Sequence, residues 1–249
     1  MARAQITICL YHACSFVSQP CPRRPQRGQT SQFRLICLDD RQELVAGNTR
    51  SLRDDQKEMT RLRFVSTGKK LFISQGYVRT SADQIASEAG TSRATFYLHY
   101  TGKPALLAEI FQAEHVAPLM KLIERLGAAG PGDLKALNEW IRAYAAHYRK
   151  TKALMRAWMQ AQTQEGAELH ALSDNLLQEI INAIAEQVAA ANHALTPITP
   201  GEARLRAMMM FAQLERYCYY VHIRHKEYDE ERAMEIITTS WAHLIRLEN

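Results

Sequence analysis

No stretch of this sequence approaches the roughly 18 consecutive apolar residues that a membrane span needs, so no spanning helix is expected. The first twenty residues hold only a weak apolar stretch, broken by Tyr11, His12 and Ser15, and lack the start and cleavage pattern of a secretion signal; a cytoplasmic protein is expected. Cysteine is scarce. There are five, an odd number, and Cys9, Cys14, Cys21 and Cys37 crowd the amino-terminal part with no pair at zinc-ligand spacing, so free thiols and no structural metal are expected. The sequence also has no nucleophile elbow, no phosphate-cradling glycine loop and no His-Glu-x-x-His, which removes the common catalytic signatures: neither an enzyme nor a cofactor is expected. The alternation of strands is missing as well, since from Asp133 onward every segment keeps the helical period.

What is present is apolar mass and an uneven charge. Apolar residues make up 47% of the 249, ample for a core. The net charge of +5 is modest, but its distribution is not uniform: residues 57–103 carry 8 Lys and Arg against 3 Asp and Glu, whereas residues 104–249 carry 15 against 18. A basic module on a slightly acidic body suits a nucleic-acid binder, whose non-specific affinity comes from phosphate contacts.

The basic module contains the most informative stretch, residues 80–103. Ser81 is placed to cap a helix starting near Ala82, with Gln84 positioned to reach back in a capping box, and Ile85, Ala86 and Ala89 form its apolar face. Gly90 stops that helix where a left-handed residue is commonly required. Ser92 caps a second helix that buries Phe96 and Tyr100 and turns Arg93, Thr95, Tyr97 and His99 outward. This is a helix-turn-helix pattern; an ordinary helical hairpin with small residues at Ala86 and Gly90 is the plain alternative.

The surrounding residues decide between the two. Leu71-Phe72, Gly76-Tyr77, Thr80-Ser81, Ile85-Ala86, Ala89-Gly90, Ser92, Thr95, Tyr97, Tyr100, Lys103 and Leu106-Leu107 together resemble the DNA-binding domain of the TetR family of transcriptional repressors over residues 62–107. One departure is Thr67-Gly68, where the family usually has two alanines; the Gly weakens that helix by roughly 1 kcal/mol. The resemblance implies an all-α protein with a three-helix DNA-binding domain over residues 57–103 and a larger helical effector-binding and dimerisation domain over 104–249. It further implies that Arg93 and Ala94 meet base edges, that Ser81, Thr95, Tyr97, His99 and Lys103 mostly touch phosphates, with Ser92 also in the DNA-contacting set, and that the last two helices form a homodimer. Ala82 stands where some relatives carry a base-contacting Arg.

Around this domain, residues 1–56 contain Pro20, Pro22 and Pro25, the basic pair Arg23-Arg24 and no sustained period, and are expected to be poorly ordered, with a short helix near residues 39–56 as the alternative. An extra basic arm and a redox sensor are competing readings, and Met59 is an alternative start. A first helix is expected from Glu58 to Gln75 with Leu62, Val65, Leu71 and Phe72 inward, and a further one from Lys103 to Gly127. Beyond the Gly130-Pro131-Gly132 break, helices are expected over Leu134–Lys150, Lys152–Gln162, Leu169–Asn192, Glu202–Lys226 and Asp229–Leu247. Trp140, Tyr144, Trp158 and Met159 are candidates for an adaptable apolar pocket, with a core role as the alternative. The stripe Met234, Ile237, Trp241, Leu244 and Ile245 is read as the dimer seam. His222 and His225 share a helix face in this reading but lack a third ligand at fitting spacing, so no metal site is assigned.

The function expected is a homodimeric repressor on a near-palindromic double-stranded DNA operator, released by a small apolar effector. An architectural DNA protein without an effector and a protein-interaction module are the alternatives.

Overall fold

The computed structural model describes residues 51–128, 133–192 and 197–245; of the extension expected over residues 1–56, residues 1–50 lie outside the described residues, as does the Gly130-Pro131-Gly132 break. Every element among the described residues is helical. The first helix, α1, spans Leu52–Gln75 and begins before the expected Glu58, because Ser51 Oγ accepts from Arg53 N at 3.2 Å and Asp54 and Asp55 occupy the first turn, where the helix dipole favours acids. Residues 52–56 are therefore helical. The inward positions of α1 are Phe64, Gly68, Leu71 and Phe72, one stripe at helical spacing, whereas Leu62 is 49% exposed and not inward as expected.

Two short helices follow, α2 (Ala82–Glu88) and α3 (Arg93–His99). Their starts depend on Ser81 Oγ, which accepts from Gln84 N, and Ser92 Oγ, which accepts from Thr95 N, both at 3.1 Å. The expected reciprocal half of the capping box is absent. Gln84 instead accepts from Gln75 Nε2 at 2.7 Å and donates to Glu88 at 3.1 Å, so its amide ties α2 to the end of α1. The turn between α2 and α3 closes with Thr91 N on Ala86 O (2.9 Å) and Gly90 N on Ser87 O (3.1 Å), a paired helix-ending motif that requires the left-handed Gly90, φ 69°.

Gly102 precedes α4 (Lys103–Phe111), with Pro104 in its first turn, where the missing N–H removes no hydrogen bond. A five-residue π-helical segment, Gln112–Val116, then leads into α5 (Ala117–Glu124). The single straight helix expected to Gly127 is interrupted because Pro118 has no N–H and its ring would clash with the carbonyl four residues back; a wider turn ahead of it relieves both. α6 (Leu134–Gln164) is one helix of 31 residues where two were expected. The polar Lys150-Thr151-Lys152 stretch does not break it: Thr151 Oγ1 donates to His147 O at 2.9 Å, within the helix. α7 (Ala167–Asn192), α8 (Pro200–Cys218) and α9 (Glu230–Ile245) complete the body, with a second π-helical segment at Tyr219–Ile223. His225, at φ 52°, lies beyond the end of that segment, so His222 and His225 do not share a helix face as expected.

The helices enclose two cores. One gathers Phe64, Tyr77, Ile85, Phe96 and Tyr100 of the head with Leu106, Leu107 and Ile110 of α4 and Leu154, Ala157 and Trp158 of α6. The other gathers Ile123, Ile141, Tyr144, Ile184, Val188, Met210, Leu214, Met234, Ile237 and Trp241. α6 contributes to both. Within α9, Met234, Ile237 and Trp241 are fully or almost fully buried in this chain's own core, which corrects their reading as a dimer seam: an apolar stripe on one helix fills the nearest bundle before it faces a second subunit. Leu244 and Ile245 are partly buried against the same core.

The Gly90 turn yields a clean test. A Cβ added there meets nothing within 4 Å, so only the backbone conformation resists substitution. Gly90→Ala is expected to destabilise by about 1–2 kcal/mol in urea unfolding and Gly90→Asn by less, since Asn tolerates the left-handed region.

Candidate nucleic-acid interface and internal cavity

α3 rests on an aromatic base. Phe96 is fully buried, edge-on to Phe64 with ring centroids 5.3 Å apart, and Tyr100 packs 5.6 Å from Phe96. This fixes the helix with Arg93, Ala94, Tyr97 and Leu98 exposed and Thr95 and His99 half-buried. Arg93 does not extend freely: its guanidinium donates to Asp83 at 2.9 Å and lies 5.6 Å from the Tyr97 ring centre. Both partners are more than half exposed, and such pairs contribute about 0–1 kcal/mol, so releasing Arg93 toward a base costs little. Ser81 and Ser92 direct their hydroxyls to their own helix starts, and Ser92 Oγ also lies 2.9 Å from Thr95 Oγ1. Burial and the nearby Lys57 and Arg61 lower the pKa of His99, which favours the neutral imidazole.

Lys103 is more committed than its sequence position suggests. Its ammonium donates to Tyr77 O at 3.2 Å and Thr80 O at 3.1 Å and sits 4.0 Å over the Tyr77 ring, leaving one N–H for a ligand. A groove of about 390 Å³ runs beside it, bordered by Arg79, Ser81, Asp83, Arg93, Tyr97 and Lys103. Arg79, exposed at this rim, and the exposed Leu98 were not among the expected site residues. The head is tied to the body through the turn after α1: Gln160 Oε1 accepts from Tyr77 N at 2.9 Å, and the Tyr77 hydroxyl donates to Glu165. Arg61 bridges Glu58 and Glu109, joining α1 to α4.

A cavity of about 450 Å³ opens in the body between α4, the π segment, α6, α7 and α8. Of the candidate pocket residues, Tyr144, Trp158 and Met159 line it. Trp140 does not. Its indole donates to Leu122 O at 2.6 Å and packs 5.3 Å from Trp241, in the second core. One wall is an aromatic stack: Trp158 lies parallel to Phe111 at 4.3 Å, His115 follows Phe111 at 4.9 Å, and His147 follows His115 at 4.9 Å. Phe111, His115, Phe211 and Glu215 also line the cavity and were missed, because they come from helices far apart in the chain and carry no local signal.

His115 is nearly inaccessible. Thr151 gives its own proton to His147 O, so its Oγ accepts from His115 Nδ1–H at 2.9 Å and Nε2 keeps its lone pair. Burial, with the adjacent His147 second, depresses His115 from 6.5 to about 3. The folded chain thus prefers the neutral ring: its contribution is fully present above pH 6.5 and is lost as pH falls toward 3. His115→Gln is expected to flatten the stability–pH curve across that window, measured by urea unfolding at a series of pH values.

Residues 64–110 match the family model described as bacterial regulatory proteins, tetR family. Over 45 residues the chain is 44% identical to the HTH-type transcriptional regulator YerO of Bacillus subtilis, 18% of this chain and 16% of that protein. The chain aligns with 16% and 26% of the length of the curated relatives it matches. A solved structure described as a TetR-family transcriptional regulator from Syntrophomonas wolfei superposes with a TM-score of 0.61 at 14% identity, over 78% of this chain and 100% of that one. Thermus thermophilus FadR, a TetR-family transcriptional repressor solved with lauroyl-CoA, superposes with a TM-score of 0.53 at 21% identity, over 74% of this chain and 92% of that one. The head's sequence match and the fold shared over the remainder agree: residues 64–110 match the tetR family of bacterial regulatory proteins, and the chain as a whole has the fold of the solved TetR-family regulators.

Proposed function

We propose that the protein is a homodimeric transcriptional repressor that leaves a near-palindromic operator when an apolar effector enters the body cavity. The observation that carries this reading is α3, held on a buried aromatic base with Arg93, Ala94 and Tyr97 exposed, in a domain with 8 basic against 3 acidic residues over 57–103. In this reading the DNA-binding domain covers residues 57–103 and the effector and dimer domain 104–249. Arg93 and Ala94 meet base edges; Ser81, Ser92, Thr95, Tyr97, His99 and Lys103 hold the backbone, Lys103 through its one remaining N–H and its position at a helix start.

The cavity supports an effector, which an architectural DNA protein would not need, and the acyl chain of the lauroyl-CoA bound by Thermus thermophilus FadR supports one with an apolar body. For the dimer, the surface that remains is the outer face of α8 and α9, where Met209 is 49% and Ile236 is 52% exposed, in place of the buried Trp241 stripe.

Two measurements test these points. Arg93→Ala is expected to cost about 1–3 kcal/mol on the selected operator and to relax preference at one position per half-site, with far less loss on random duplex; equal losses on both would reassign Arg93 to a phosphate. Combining Met209→Asp with Ile236→Asp is expected to give monomers by sedimentation with the helical circular dichroism retained, and an unchanged dimer mass would move the interface elsewhere.

A further inference from the structure

We propose that the effector is a lipophilic cation, an aromatic amine protonated at neutral pH, whose rings lie against Trp158 and Phe111 and whose ammonium is held at Glu215. This deepens the effector reading above and rests on it. Among the described residues, five titratable side chains border the cavity: His115, Tyr144, Asp174, Glu215 and Arg216. His115 is kept neutral by burial, and burial holds the phenol of Tyr144 protonated, so neither carries a charge. Glu215 is the group with an incomplete environment. Its carboxyl is raised by burial, against a smaller opposing pull from Arg216, and its carboxylate in turn pushes up Tyr144, Tyr148 and Cys218, which places it beside three groups that carry no positive charge.

The cation bordering this end is Arg216, which stands 3.8 Å from Glu215 with its side chain 59% exposed, so it compensates the carboxylate weakly. An anionic head group brought into this end would meet Glu215 and Asp174 with that one solvated guanidinium as its sole counter-charge. An ammonium would instead supply the missing partner of Glu215, and its desolvated charge would be received by the electron-rich faces of the stacked rings. Ser173 Oγ, buried at the same cavity and without a hydrogen-bond partner, offers an acceptor for a second N–H.

The test uses three fluorescent probes of one ring system on the full chain: 1-pyrenemethylamine, 1-pyrenemethanol and 1-pyrenecarboxylate. The amine is expected to bind roughly tenfold or more tightly than the alcohol, with the carboxylate weakest. Glu215→Gln is expected to bring the amine down to the affinity of the alcohol, and Trp158→Ala to weaken all three. On the wild-type protein, the advantage of the amine over the alcohol should shrink as pH falls and Glu215 takes up a proton, a readout that needs no variant. If the alcohol binds but the amine has no advantage, or the carboxylate binds best, the cation assignment is overturned while the effector cavity stands. If none of the three binds the wild-type chain, the effector reading of this cavity falls, and the cation assignment with it.

Discussion

The parallel contact of Phe111 with Trp158 is where the two halves of the protein are held in one relation. Phe111 ends α4, which begins beneath the helix-turn-helix head, and Trp158 sits towards the end of α6, which belongs to both cores. Aromatic pairs of this kind contribute about 0.5–1.5 kcal/mol beyond their buried area, and this pair also forms a wall of the cavity. A molecule entering the cavity therefore meets the same surface that sets the spacing of α4 and α6. Gln160, near the end of α6, and Glu165, just past it, hold the Tyr77 turn, so a shift of the helix has a second route to the head.

Within the head, the short helices depend on single hydroxyls and a single backbone conformation. Seven-residue helices are too short to persist alone, so α2 and α3 exist because Ser81, Ser92 and Gly90 end and start them at defined residues and because Ile85 and Phe96 anchor them. The ammonium of Lys103 closes the turn from Tyr77 to Thr80 from the other side. These are local devices, written in consecutive residues, and they explain why the helix-turn-helix and the all-helical body were legible in the sequence.

What was not legible needed knowledge of which core a side chain joins. Trp140 and Trp158 both face inward on α6, and no local pattern says that the first packs on Trp241 while the second stacks on Phe111. The stripe Met234, Ile237 and Trp241 has the same ambiguity: amphipathicity marks a buried face without naming what buries it. Glu215 reads in the sequence as one more surface acid on a charged helix. Its half-burial depends on α6 and α7 closing over it, which no window of consecutive residues contains.

The π segment at Gln112–Val116 has a bearing on how this protein can be recombined. A wide turn carries one residue more per hydrogen-bonded ring than the helix around it, so the phase of α4 relative to α5 is set by that extra residue. Each residue of an α-helix advances the chain by about 100° of rotation. A chimera that grafts this head onto the body of a relative whose helix is unbroken would, if joined inside the segment, turn the exposed face of α3 by nearly a third of a circle; joined before Gln112 it would keep the grafted body's own phase, and joined after Val116 it would carry the native one with it.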